Sequence, residues 1–341
     1  MGRVIFITVA NQRYGQGHYL RTLSMASAIT NMTDVMVFCN QPITSKDANN
    51  YSVTVVPFDF NFPELMFQDM KLNDDDLLWF DVPDECYCFL SHFVDYSQKM
   101  VSVNMFDKRN NLVFEDICIY PCFKKPNYDR DDRQNVVFMT GSDFIMVADE
   151  FFTENLGQKI PGSVLVSMGG ADPMGLTKYL IPLLNQLERK DLVIQIVLPK
   201  TLKKADIFAS HDIKPFVKCH DFGGLDFAKA IRQSEYAIIS GGLTRYECIA
   251  ARTFYIAISM HRAQYDLTAL TSKYGFGYNF GVIDELKSRD LIQYLENLPL
   301  KPELPNPVTQ PVILKKGAAL RIFKNVVEVI NNNESKISDY N

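Results

Sequence analysis

Short continuous apolar runs alternate along this chain with longer segments whose apolar residues recur every three or four positions. The runs read as buried strands, and the longer segments as helices with one apolar face. In the first half, strands are expected over Val4–Ala10, Val35–Cys39, Val53–Val56, Leu77–Asp81, Met100–Asn104, Ile117–Tyr120 and Val136–Met139. Helices are expected there over Tyr19–Thr30, Pro63–Met70 and Asp84–Val94. The second half repeats the rhythm with strands over Val164–Ser167, Leu192–Leu198, Tyr236–Ser240 and Phe254–Ser259. Its helices are expected over Met174–Leu187, Leu225–Gln233, Leu243–Ala251 and Gln264–Lys273. Helices over Asp290–Asn297 and Ala318–Ile330 close the pattern, and the polar tail Asn331–Asn341 is expected to fray.

This alternation predicts an α/β fold class built on parallel sheets. A polar joint carrying Gly and Pro, Thr153–Gly162, separates two domains that are expected to face one another across a cleft. The expected bounds are 1–155 and 162–316, with 317–341 as a C-terminal helix and tail. Ligands of such sheets bind beyond the carboxyl ends of the strands. The glycine-bearing turns of this chain lie at those ends.

The chain has 341 residues, 47% hydrophobic and 22% charged, a composition that suits two soluble domains of ordinary size. Its formal net charge of −5 argues against a general nucleic-acid binder, which would show a basic face. A small anionic ligand remains compatible, because a few local groups and helix ends suffice to hold one. There is no apolar run of ~20 residues for a membrane-spanning helix. Val4–Ala10 is too short for a signal peptide and is followed by polar Asn11-Gln12-Arg13. The seven cysteines, Cys39, Cys86, Cys88, Cys118, Cys122, Cys219 and Cys248, form no C-x-x-C pair. They read as free buried thiols, and the location they fit is cytoplasmic. Neither a cofactor nor a metal is expected. Cys118 and Cys122 lack a second ligand pair, and the acidic runs Asp74-Asp75-Asp76 and Asp129-Arg130-Asp131 read as solvated loops.

Three turns carry candidate chemistry. In the first, Tyr14-Gly15-Gln16-Gly17-His18-Tyr19-Leu20-Arg21 joins a strand to a helix. Its glycines permit close approach of a ligand, and its helix start is a seat for an anion. The turn is not a dinucleotide fingerprint, because Leu20 stands where a third small residue is needed. His18 places a titratable nitrogen at this seat, and Arg21 lies one turn further on. The second, Ser167-Met168-Gly169-Gly170-Ala171-Asp172-Pro173, offers backbone donors, with Asp172 as an alternative helix cap. In the third, Ser240-Gly241-Gly242-Leu243-Thr244-Arg245-Tyr246-Glu247, Gly241 and Gly242 expose N–H groups and Thr244 adds a hydroxyl. The Glu247 carboxylate there can accept from a ribose diol, or simply complement the helix dipole. Among the other histidines, His92 and His211 read as ordinary, His220-Asp221-Phe222 can border a base, and His261 follows a strand end. Three glycine turns at equivalent places point to a phosphorylated ligand.

Taken together, Gly15-x-Gly17-His18-x-x-Arg21, Ser167-Met-Gly-Gly-x-Asp172 and Ser240-Gly-Gly-x-Thr-x-Tyr-Glu247 resemble the UDP-sugar hydrolase of pseudaminic acid biosynthesis and the related spore-coat polysaccharide biosynthesis proteins. Weaker echoes are Leu78–Asp81, Phe106-Asp107, and Gly141-x-x-Phe144 leading to Glu150-Phe151. The resemblance implies two Rossmann-like domains in the GT-B arrangement. It also implies a C-terminal domain that holds the nucleotide through Gly169, Gly170, Ser240, Gly241, Gly242, Thr244, Glu247 and Gln264. The N-terminal domain is then the sugar side, with His18 as catalytic base and Gly17, Arg21 and Asp81 nearby, joined by His261. The chain departs from the family at Ala10-Asn11-Gln12-Arg13, Asp81-Val82-Pro83, Ala148 and His261-Arg262-Ala263-Gln264, mostly where the sugar would lie.

The implied reaction is hydrolysis, without a required metal, at the anomeric carbon of a UDP-linked amino or deoxy sugar. It inverts that carbon and releases UDP for surface-glycan biosynthesis. An inverting glycosyltransferase of the same fold is the alternative, with a sugar hydroxyl of a glycan acceptor replacing water. A third reading is a nucleotide-sugar binding protein without turnover.

Overall fold

The computed structural model describes residues 2–10, 17–40, 53–59, 70–83, 86, 91–93, 96–103, 115–123, 136–152, 159–210, 212–306 and 314–338. The chain divides into two compact units, Met1–Met146 with Gly317–Asn341, and Val147–Lys316.

The first unit is built on seven strands: β1 (Val4–Thr8), β2 (Val35–Cys39), β3 (Val55–Pro57), β4 (Leu77–Asp81), β5 (Lys99–Val103), β6 (Ile117–Tyr120) and β7 (Val137–Thr140). They pair in the order β3-β2-β1-β4-β5-β6-β7, every pair parallel. Helix α1 (Gly17–Ile29) follows β1. Because side chains alternate across a strand, β1 and β4 send Val4, Phe6, Leu77 and Trp79 into one core layer. Ile5, Ile7, Leu78 and Phe80 enter the opposite layer. The first layer also takes Tyr19, Leu23, Ala26 and Ile29 of α1. Asp81 continues the Leu77–Trp79 parity, so the end of β4 presents a carboxylate on the α1 side.

The second unit contains β8 (Ile160–Ser167), α2 (Leu176–Leu184), β9 (Val193–Val197), α3 (Lys204–Ser210), β10 (Val217–His220) and α4 (Phe227–Gln233). It continues with β11 (Ser234–Ile239), α5 (Thr244–Ala250), β12 (Phe254–Ser259), α6 (Arg262–Ser272), β13 (Gly277–Val282) and α7 (Ser288–Glu296). The strand order is β10-β9-β8-β11-β12-β13, again all parallel. Both sheets therefore share the doubly wound order of a Rossmann fold, with the switch point between the first and fourth strands of each unit.

The last helix, α8 (Ala318–Ser338), packs Ile322, Phe323, Val326 and Ile330 into the first unit's core beside α1. It runs on through Asn331–Asn333, where a frayed tail was expected. The expected helices Pro63–Met70 and Asp84–Val94 fall largely outside the described residues, as do 153–158 of the joint, Asn11–Arg13, Gly15, Phe106-Asp107, His211 and Asp129–Asp131.

Two elements have little signature in the sequence. β13 is an edge strand containing Gly277 and Gly281, and α3 buries only Ile207. The Asp74–Asp76 run is not wholly solvated. Asp76 is buried, pairs with Arg3 Nη2 at 2.6 Å, and accepts from the Arg3 and Asn73 amides. The six described cysteines are all buried, and none of them is in a disulfide among the described residues. Among the described residues, no helix is long and apolar enough to cross a membrane.

Candidate active site

In the first unit, the end of β1 and the end of β4 flank the switch point, and α1 begins beside them. His18, Arg21 and Thr22 are spaced to share one helix face. Three predicted residues, His18, Arg21 and Asp81, meet there. The Arg21 guanidinium grips Asp81 with a fork, Nε donating to Oδ2 at 2.6 Å and Nη2 to Oδ1 at 2.5 Å. Asp81 Oδ1 also lies 2.8 Å from His18 Nδ1. The backbone at the strand end is held as well, by Thr8 Oγ1 donating to the Asp81 carbonyl at 3.0 Å.

Asp81 is 2% exposed and Arg21 8%, while the His18 side chain retains 23%. Burial pushes the Asp81 carboxyl up. The charge and hydrogen bonds of Arg21, with the bond from His18, outweigh that and hold it below the ordinary carboxylate value. An ionised carboxylate only accepts, so in the neutral ring the proton lies on His18 Nδ1 and the lone pair on Nε2. The result is a partly exposed imidazole on a buried, charged anchor, with its basic nitrogen available. Gly17, the first residue of α1, is exposed, and a Cβ there would meet nothing within 4 Å.

In the second unit, the loops after β8 and β11 flank the equivalent switch point. Gly169 has φ +86°. A Cβ on Gly170 would stand 2.9 Å from the ring of Phe222, over which Lys200 Nζ lies at 4.9 Å. The start of α2 is not an open anion seat. Asp172 folds back at φ +40° and its buried carboxylate accepts from the Leu176 and Thr177 amides at 2.9 and 2.8 Å. Its own side chain thus takes the helix-start donors, the alternative cap that the sequence also offers, and leaves the Gly169 and Gly170 amides out of these bonds.

The β11–α5 turn is more constrained. Gly241 has φ +75°, and a Cβ there would lie 2.8 Å from Thr268 Oγ1 and 3.0 Å from Ser259 Oγ, so both backbone and packing demand glycine. Gly242 beside it is open. The residue that sequence reasoning missed is Arg245. It is fully buried, its Nη1 donates to the carbonyls of Gly241 and Gly242 at 2.8 Å each, and its Nη2 donates to Tyr246 Oη at 2.9 Å. A trans peptide points its N–H opposite its C=O. Drawing these two carbonyls inward therefore turns the Gly242 and Leu243 N–H groups away from Arg245. The motif position between Thr244 and Tyr246 carried no signal for this.

Gln264 is buried and its Oε1 accepts from the Met260 amide at 2.9 Å. His261 is exposed and caps α6, its Nδ1 accepting from the Gln264 amide at 3.4 Å. His261 and Gln264 thus belong to one strand–helix turn. His220 is held below its ordinary pKa by burial, with Lys204 and Lys218 adding repulsion.

Glu247 lies on the first turn of α5, and its Oε2 is buried without a partner. Burial pushes its pKa up to about 7, aided by Glu150 and opposed by a hydrogen bond from Thr244. The folded state then holds this proton more tightly than the unfolded chain. Its contribution to stability is fully present below the ordinary value of 4.5 and is lost as pH rises from there to about 7. Glu247→Gln is expected to stabilise the unliganded protein at pH 8 by on the order of 1–3 kcal/mol and to change little at pH 4. Urea unfolding at both pH values checks this, and parallel pH dependences for the two proteins would refute it.

Two parallel α/β units with the same doubly wound strand order define the GT-B fold. No family model and no curated protein matches the chain, but solved structures do. S. aureus MnaA in complex with UDP is 14% identical, covers 97% of each chain and superposes with a TM-score of 0.63. The UDP-GlcNAc 2-epimerase of Methanocaldococcus jannaschii is 12% identical over 96% of this chain and 99% of its own, with a TM-score of 0.56. The spinosyn rhamnosyltransferase SpnG, complexed with thymidine diphosphate, is 12% identical over 86% and 90%, with a TM-score of 0.56. At these identities the likeness is one of fold.

Proposed function

We propose that this chain is a nucleotide-sugar enzyme that cleaves the anomeric C–O bond of its substrate with His18 as general base. The observation that carries the reading is the 2.8 Å contact of His18 Nδ1 with a buried Asp81 gripped by Arg21, which leaves Nε2 as the acceptor. His18 Nε2 takes a proton from water as the water oxygen bonds to the anomeric carbon. The bond from that carbon to the diphosphate breaks, and its electron pair leaves on the diphosphate oxygen. Attack opposite the leaving group inverts the carbon. Asp81 and Arg21 position the base in this scheme.

The second unit supplies the nucleotide seat. Gly242 and Leu243 N–H groups take the diphosphate, with Gly169, Gly170, Ser240 and Thr244 alongside. The unpartnered oxygen of Glu247 accepts from a ribose diol. Gln264 and His261 border the same end of the sheet. The structures of similar fold bound to UDP and thymidine diphosphate support such a seat.

Two reactions suit this site. The quoted motifs favour hydrolysis, as in the UDP-sugar hydrolase of pseudaminic acid biosynthesis. Transfer to a glycan hydroxyl, deprotonated by the same nitrogen, is favoured by the fold shared with a rhamnosyltransferase.

The test has two parts. UDP and thymidine diphosphate are expected to raise the Tm by mass action, and no shift with either removes the nucleotide reading. The protein is then incubated with UDP-sugars, with and without glycan acceptors, and the products are followed by NMR. Free sugar without acceptor establishes hydrolysis, UDP release only with acceptor establishes transfer, and no turnover in either arm refutes both.

A further inference from the structure

A pocket of about 20 Å³ is lined by residues that include Arg21, Thr22 and Asp81 with apolar Trp79, Phe144 and Ile322. Two of these residues carry a buried polar atom without a partner. Arg21 spends Nε and Nη2 on Asp81, which leaves Nη1 unbonded. Thr22, 2% exposed and one residue on in α1, has an unbonded Oγ1. Leaving a donor of a charged group and a hydroxyl dry beside an apolar wall is unfavourable for each, which favours an occupant with hydrogen-bonding capacity.

Size and chemistry identify it. A pocket of this volume exceeds the roughly 10–15 Å³ that one water needs and falls far short of a sugar. A chloride would meet the Arg21 donor but would also lie against the Asp81 carboxylate. Water satisfies every group, because it accepts from Arg21 Nη1 and can donate to Thr22 Oγ1 and to Asp81. We infer that Arg21 and Thr22 hold a single buried water molecule, which makes Thr22 a positioning residue that fixes the guanidinium and, through Asp81, the ring of His18. The water site itself stands apart from the proposed reaction; only its bearing on His18 as base rests on that reading.

Thr22→Val is nearly isosteric and removes only the hydroxyl, so it tests the site without opening a cavity. With a bridging water, the variant strands that water against a methyl group, and the Tm is expected to fall by about 2–4 °C. An unsolvated hydroxyl would give the opposite sign, because replacing an unsatisfied buried polar group by an apolar one is neutral or stabilising. An unchanged or raised Tm therefore overturns the inference. A crystal structure near 1.5 Å resolution gives the second readout. Density for one water bonded to Nη1 and Oγ1, lost in Thr22→Val, supports the site, and an empty pocket in a well-defined map overturns it.

The positioning role is read by proton NMR. The low-field Nδ1–H line of His18 is expected to broaden in Thr22→Val, and an unchanged line in a destabilised variant reduces Thr22 to a structural part. None of these measurements needs turnover. If the water is found and no UDP-sugar reacts, the proposed reaction fails and the site stands.

Discussion

Asp81→Asn is expected to cost about 3–5 kcal/mol of folding free energy, because it leaves a buried cation without its counter-charge. Arg21 is 8% exposed and directs two of its three nitrogens at this one carboxylate. An asparagine offers one neutral acceptor, and its amide protons oppose the guanidinium. The companion Arg21→Met/Asp81→Asn removes both charges and is expected to recover much of the loss, so the cycle measures the coupling directly. The pH dependence has a fixed sign. The folded-state pKa of Asp81 lies below the unfolded one. Its stabilisation is therefore complete above the unfolded value of about 3.9 and is lost as pH falls through the folded value. Urea midpoints of wild type and Asp81→Asn should differ widely at pH 7 and converge in acid. A constant gap across this range would mean that charge is not what the pair contributes.

The partners of this network differ in how well they could be read from sequence. His18 and Arg21 are three residues apart on a helix that follows an apolar strand, which puts them on one face without any structure. Asp81 ends the run Leu77–Asp81, and its parity with Leu77 and Trp79 sends it toward α1. That β4 lies next to β1 is a property of strand order. Order is set by crossover connections, which periodicity does not encode, so the bonds of Asp81 to Arg21 and His18 were not legible beside its expected place on the sugar side. The second unit shows the same limit. Ser167–Asp172 and Ser240–Glu247 were legible as glycine turns. That Asp172 closes its own helix is one of the two readings the sequence left open, whereas the hold of buried Arg245 on two glycine carbonyls depends on backbone conformation and burial beyond local patterning. β13 and α3 were missed for a simpler reason: an edge strand with two glycines and a helix burying one residue carry too few apolar positions to show a period.

The two units use one strand order for two kinds of site. At the first switch point the chain places a histidine on a charged anchor, and at the second it places turns shaped by glycines. Parallel sheets concentrate loops at their carboxyl edges, so the same framework accepts either set.

His18→Ala is expected to lower turnover by roughly two or more orders of magnitude while leaving the protein folded. The two halves of this expectation come from different atoms. Nδ1 faces Asp81, and Nε2 is the nitrogen left to take a proton in the proposed reaction, so truncation removes the proposed base. Asp81 keeps both bonds from Arg21 when the ring is gone, and the ring itself is partly exposed. The stability change should therefore stay within about 1 kcal/mol, in contrast to Asp81→Asn. Nucleotide affinity should persist, because the proposed seat lies in the second unit, and the loss should appear in kcat more than in KM. Asp81→Asn keeps the imidazole but removes the carboxylate that selects its tautomer, so the two variants should both be slow for different reasons. Turnover of His18→Ala near the wild-type rate, with nucleotide binding intact, would take His18 out of the mechanism and leave its bond to Asp81 as part of the fold.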